Sequence, residues 1–387
     1  RTICLEFFDQ DLQKAVPAIL ETKNYVDSQQ TVSLAGMEHL DERYLKAVGY
    51  STKAPRTERP RMVLLIDVVS DDEKAVSAVS SHIVKLANQR GAEGFIAVSA
   101  DTRQSFWQDR ARTAAIAAHT NAFKINEDVV IPLEQLANYS DGIERLNIEL
   151  SIRNKLAIIS AVKSLFDDGV RVIRPYLSEE YAGDIDAEVE AIVQAKIDQA
   201  RQVLTDTANK WQRILDHIDD QVLPGDIFSD EEKAEFGDET SLFRLLQRQI
   251  LRISYRQSIQ RRLSEIFNDA PFVLLREKLD RIHQQHRAAR LFIALHMHAG
   301  DGNVHTNIPV NSSDYEMMHE AERIVARIMK LAESLGGVIS GEHGIGITKL
   351  EFLERDVVES FTKYKHEVDP NDVFNPRKLQ AGADLHN

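Results

Sequence analysis

Residues 290–308 read RLFIALHMHAGDGNVHTNI, and the alternation within them decides the fold. Strand side chains point to opposite faces in turn, so Phe292, Ala294, His296 and His298 share one face while Leu291, Ile293, Leu295 and Met297 take the other. The all-apolar set marks a buried face. Gly300-Asp301-Gly302-Asn303 contains residues that tolerate positive φ or bond their own backbone, so it reverses the chain and predicts an antiparallel second strand. His298 and His305 then flank one turn. Two neutral imidazoles converging at the end of a hairpin are two ligands for a divalent metal, and catalytic sites of this kind commonly take a carboxylate as the third.

A carboxylate of that kind stands downstream in GGVISGEHGIG, residues 336–346. This stretch predicts a short apolar strand running into a glycine-rich turn that displays Glu342 and His343. The expected metal ligands are therefore His298, His305 and Glu342, with His343 left free for acid–base work. Taken singly, each histidine reads more readily as a satisfied structural residue than as a ligand. What favours a site is the gathering of titratable groups in two glycine-rich turns, which is expensive for a core. His296 shares the face of His298 and is expected to orient a ligand rather than to be one.

The rest of the chain bounds the possibilities. At 387 residues it can bury one large or two moderate cores, and 28% of its residues are charged. No apolar run approaches the roughly 18 to 20 residues of a membrane span. A net charge of −14 gives no support for binding a phosphate backbone. Cys4 is the one cysteine, which excludes an internal disulfide and a cysteine-ligated iron–sulfur cluster in this chain and fits a reducing cytoplasm. The start, RTICLEFFDQ, lacks an initiating Met and a signal-peptide core, so the chain reads as part of something longer.

Periodicity supplies the framework. Strands are expected around Glu6, over Ser33–Glu38, Arg61–Val69 and Gly94–Ser99, with helices from Asp11 and over Asp71–Arg90. Strand, helix, strand, strand, helix, strand predicts an α+β fold, a ferredoxin-like antiparallel sheet with helices on one face. After Thr102 come a helix carrying Trp107 and Arg110, a loop with Lys124, and a strand ending at Pro132. Between Asp141 and Ala289 the sequence becomes long, charged and helical; Val193, Ile197, Ala200, Leu204, Ala208, Trp211 and Leu215 recur at three- and four-residue spacings. This predicts a large helical insertion with an internal core of its own. The expected domains are 1–140 with 290–387, and 141–289 between them. Helices follow at Ser312–Leu335 and Asp356–Glu367.

H-A-G-D-G-N-V-H followed by S-G-E-H-G-I-G, with the tail D-P-N-D-V-F-N-P-R-K-L, resembles the C-terminal domain of FAD-linked oxidases, the family of glycolate oxidase, D-lactate dehydrogenase and D-2-hydroxyglutarate dehydrogenase. The resemblance covers roughly residues 1–140 and 290–382 and leaves the insertion unmatched. It implies oxidation of a 2-hydroxy acid to the 2-oxo acid, with FAD bound mainly by an N-terminal domain that nothing here resembles. Arg110 and Lys124 would hold the substrate carboxylate, with Asn307 assisting. His343 would act as the base, and His298, His305 and Glu342 would hold Zn or Mn. An iron–sulfur electron-acceptor domain or subunit is implied as a partner, with a cytoplasmic location tied to the membrane only through it. The chain by itself is expected to be inactive. Two other readings share the sequence: a His/His/Glu metallohydrolase, and a metal-binding scaffold acting through the helical insertion.

Overall fold

The computed structural model describes residues 1–9, 11–111, 123–167, 169–177, 187–221, 225–346, 348–376 and 378. The chain divides into two compact units, one of Arg1–Ile143 with Ile293–Asn387 and one of Glu144–Phe292.

The first unit is α+β. Its strands β1 (Thr2–Phe7), β2 (Ser33–Asp41), β3 (Met62–Val69), β4 (Ala92–Ala97), β5 (Phe123–Val130), β6 (Ala294–His298) and β7 (Asn303–Val310) form one sheet in the order β4-β1-β3-β2-β6-β7-β5. Every neighbouring pair is antiparallel. β1 lies between β3 and β4 with all six residues buried, and its two polar residues are hydrogen bonded, Thr2 to Asp67 and Glu6 to Tyr50 and the amides of Lys53 and Ala54. The helix Glu73–Gln89 starts where Asp72 accepts hydrogen bonds from the backbone of Lys74 and Ala75. Its stripe of Val76, Val79, Ile83 and Ala87 is buried.

Several elements depart from their sequence reading. The helix expected from Asp11 breaks at Val16, because Pro17 restarts it as Pro17–Asp27. The short strand expected after Gly336 reduces to one bridge, Val338 to Val130. Lys124, expected just before its strand, is the second residue of β5.

The unit Glu144–Phe292 is helical and has its own core. Ala187–Asp216 buries Val193, Ile197, Ala200, Leu204 and Trp211, while Ile192, at the flank of that stripe, is 54% exposed. Between Leu242 and Phe267 the helical run is interrupted. A helix Leu242–Gln247 ends before Gln249, whose φ is 57°, and a π-turn at Arg256–Gln260 leads into Arg261–Ile266.

Candidate metal and substrate site

The hairpin forms as its alternation requires, but its register rearranges the histidines. His296 lies directly opposite His305, and His298 opposite Asn303. His298 and His305 are thus diagonal neighbours, with ring centroids 5.1 Å apart and planes at 88°. The rings of His296 and His305 stack at 4.5 Å. Gly302 makes the turn possible: its φ is 70°, and a Cβ there would run into the Ile131 carbonyl oxygen.

Glu342 closes the group. Its carboxylate oxygens lie 3.3 Å from His298 Nε2 and 3.7 Å from His305 Nε2. Ligand atoms of His298, His305 and Glu342 all fall within 4.8 Å of one another, as a single cation requires, and among the described residues these three form the group that could hold one. His305 is 3% exposed, and among the described residues neither ring nitrogen has a hydrogen-bond partner. Burial, reinforced by the neighbouring His298, lowers its pKa to about 4, so the ring is a neutral imidazole at pH 7. His343 stands beside His305, centroids 5.2 Å apart, and is partly open to solvent.

Two carboxylates outside the expected ligand set, Glu38 and Asp41, face the site or brace it. Glu38, on β2 opposite His298, places Oε1 2.9 Å from His298 Nδ1. With Glu38 on Nδ1, the ring is held so that Nε2 faces Glu342. Asp41 caps the helix Glu42–Ala47 and also accepts from the backbone N–H of Leu295, tying β2 to the start of β6. Alternation along β2 could have put Glu38 on the histidine face, had the β2–β6 pairing been known.

Asp128 and Lys349 escaped the sequence reading altogether. Asp128 is opposite His305 across the β5–β7 pair and has no exposed surface. Its Oδ2 accepts from the backbone N–H groups of Gly341, Glu342 and His343, and its Oδ1 accepts from Lys349 Nζ at 2.6 Å. Burial pushes the Asp128 pKa upward. The Lys349 hydrogen bond, the turn amides and the lysine's charge outweigh it and hold the carboxyl well below the usual carboxylate range. Breaking a buried pair of this kind by removing one partner costs about 3–5 kcal/mol.

The residues expected to hold a carboxylate are only partly described. Lys124 lies on β5, on the face that also carries Asp128, and its Nζ donates to Asn307 Oδ1 at 3.3 Å. Burial lowers its pKa. Asn307 is fully buried, and its Nδ2 reaches the Ala294 carbonyl and donates to His296 Nδ1 at 3.1 Å. Arg110 falls in the helix Ala100–Ala111, but its side chain lies outside the described residues. On the opposite flank, a cavity of about 330 Å³ is lined by Leu34–Glu38, His298, Gly300, Asp301 and Glu342.

This hairpin, glycine turn and set of polar residues coincide with a family already described. The model for FAD linked oxidases, C-terminal domain, matches residues 10–194 and 271–379. The chain belongs to that family. The match enters the helical unit from both ends, so the expectation that all of 141–289 would lie outside the family is corrected to 195–270. Among curated proteins, the chain is 36% identical over 113 residues to the mitochondrial D-lactate dehydrogenase [cytochrome] of Arabidopsis thaliana, covering 28% of this chain and 20% of that protein. It is 45% identical over 85 residues to the D-lactate dehydrogenase of Archaeoglobus fulgidus, covering 21% and 18%. Glycolate oxidase subunit GlcD of Escherichia coli (strain K12) is 35% identical over 108 residues, covering 26% and 21%. The matched stretch is thus about a fifth of each relative's length. Among the described residues no helix is long and apolar enough to cross a membrane.

Proposed function

We propose that this chain is the substrate- and metal-binding part of an FAD-linked oxidoreductase that converts a 2-hydroxy acid of the D-lactate or glycolate type to the 2-oxo acid. The observation that carries the reading is His305: a buried, neutral imidazole with neither nitrogen hydrogen bonded, facing His298 and Glu342. Leaving such a group unsatisfied is costly, and a cation between the three residues removes the cost. His298 Nε2, His305 Nε2 and a Glu342 oxygen suit Zn or Mn, since two imidazoles and a carboxylate accept either. A divalent ion there supplies Lewis acidity toward the hydroxyl and carboxylate oxygens of the substrate. FAD, held by a domain of the same protein outside this chain, supplies the hydride acceptor.

The chain's own residues then divide the work. Lys124, held by Asn307, meets the substrate carboxylate together with Arg110, whose planar fork suits a bidentate contact. His343, beside His305 and partly open to solvent, takes the hydroxyl proton. Glu342 is 53% exposed at its side chain, so the site is open to an arriving substrate there. An iron–sulfur domain or subunit would take up the electrons afterwards.

The test is metal content of the purified chain by plasma mass spectrometry after adding Zn or Mn, beside a His298→Ala/His305→Ala double variant. Near-stoichiometric metal in the wild type and its loss in the variant are expected; equal, low content in both overturns the metal assignment. In the protein that carries the FAD domain, failure of every 2-hydroxy acid to bleach the flavin overturns the reaction assignment.

A further inference from the structure

The loop that carries Glu342 and His343 is fastened at three points to one strand. Val338 bridges to Val130 through two backbone hydrogen bonds of 2.9 Å. Two residues earlier on β5, Asp128 Oδ2 gathers three consecutive amides, those of Gly341, Glu342 and His343. At the loop's far end, Lys349 Nζ donates to Asp128 Oδ1 at 2.6 Å and to the Asp128 carbonyl at 2.8 Å, with Glu127 Oε2 at 3.3 Å. Lys349 is 1% exposed and Asp128 not at all. Asp128 Oδ1 also lies 3.6 Å from His343 Nδ1.

A buried carboxylate and a buried ammonium are a poor way to gain stability, because both lose hydration and an apolar pair of similar volume often does as well. What they provide here is placement. Three adjacent N–H groups converging on one oxygen fix the backbone of the turn. They leave the side chains of residues 342 and 343 projecting away from it, toward His298 and His305. Lys349 balances the charge that makes Asp128 a strong acceptor. We propose that Asp128, with Lys349 as its counter-ion, is the positioning residue of this site: it fixes Glu342 and His343 in the binding arrangement before any ligand arrives and sets metal affinity without touching the metal. The proposal rests on the metal site argued above, and its test is chosen to fail separately from it.

Two measurements on the whole chain suffice. In metal-free wild type, hydrogen exchange followed by mass spectrometry over peptides spanning 338–346 should be slowed at least tenfold relative to the exposed turn at Ser312–Ser313. Exchange as fast as that turn overturns the proposal whether or not metal binds. Zinc affinity is then compared in two charge-neutral double variants, Asp128→Asn/Lys349→Met, which keeps an acceptor oxygen, and Asp128→Ala/Lys349→Met, which removes it. The first should stay within about threefold of wild type and the second fall about 10–100-fold, the usual effect of removing a group that orients a ligand. A role in stability alone lowers the melting temperature of both while leaving their zinc affinities alike, and that result overturns the proposal. If the alanine variant does not fold, loss of exchange protection over 338–346 in the asparagine variant does so instead. Absence of zinc binding by wild type sinks the metal assignment, and the exchange experiment still decides the role of Asp128.

Discussion

The carboxylate of Glu38 sits 2.9 Å from His298 Nδ1, so the histidine that faces Glu342 with one nitrogen is held by β2 with the other. Cross-strand pairing makes this contact: Glu38 and His298 are register partners in adjacent antiparallel strands. A carboxylate behind a ligating imidazole fixes its tautomer and raises its basicity. Glu38→Ala should therefore weaken Zn binding about 10–100-fold. Glu38→Gln keeps an acceptor for Nδ1–H and should recover most of that loss. A chelator-competition titration of the three proteins checks this, and equal affinities would refute it.

Metal should also stabilise the fold by mass action. An ion that binds only the folded chain adds about 2.7 kcal/mol at a hundredfold excess over its dissociation constant. Scanning calorimetry with and without Zn should show a rise in Tm for wild type. His305→Ala should show no rise, since it removes the buried imidazole that has no other partner among the described residues.

A pH effect independent of the site comes from His39. It lies on β2 between Leu64 and Met297, 2% exposed, and burial lowers its pKa to about 4. In the unfolded chain the ring titrates near 6.5, so as pH falls the unfolded state takes up the proton first. Stability is unaffected above that value and declines between about pH 6.5 and 4, by about 2 kcal/mol from pH 7 to pH 5 for this one group. His305 shifts in the same direction, so the comparison must be between wild type and His39→Leu. Urea unfolding at the two pH values should show a smaller loss in the variant. Identical losses would mean that His39 reaches solvent in the folded state.

How much of this was legible in the sequence depends on the range of the interaction. The hairpin histidines, Glu342 and His343 sit in glycine-rich turns, where local rules act over a few residues, and the structure brings them together. The first four strands and their two helices follow from periodicity for the same reason. Glu38, Asp128 and Lys349 act over separations of 260, 213 to 215 and 221 residues. A lone acid in a strand carries no mark of which distant amides it will meet, and a buried lysine looks like any surface lysine. The stacking of His296 on His305 was hidden differently, since it depends on a register that the turn fixes and composition does not.

The two turn glycines of the hairpin make the final prediction, because they differ in what surrounds them. Gly302 has φ of 70°, a conformation that costs an L-residue about 1–2 kcal/mol. A Cβ there would also strike the carbonyl oxygen of Ile131, whose own N–H donates to the Gly302 carbonyl at 2.9 Å. Neither of those backbones can yield without disturbing the strand end that carries Asp128. Gly300 lacks the positive φ, and its nearest neighbour would be the Leu34 Cδ2 methyl at 3.3 Å, the far end of a side chain that can turn aside. Gly302→Ala should therefore destabilise the chain by at least about 2 kcal/mol, and it should weaken Zn binding as His298 and His305 move apart. Gly300→Ala should stay within about 1 kcal/mol of wild type and keep its metal. Denaturant titrations and zinc competition on the two variants make the comparison. If the two substitutions prove equally harmless, the turn is free to change conformation and does not set the spacing of the histidines.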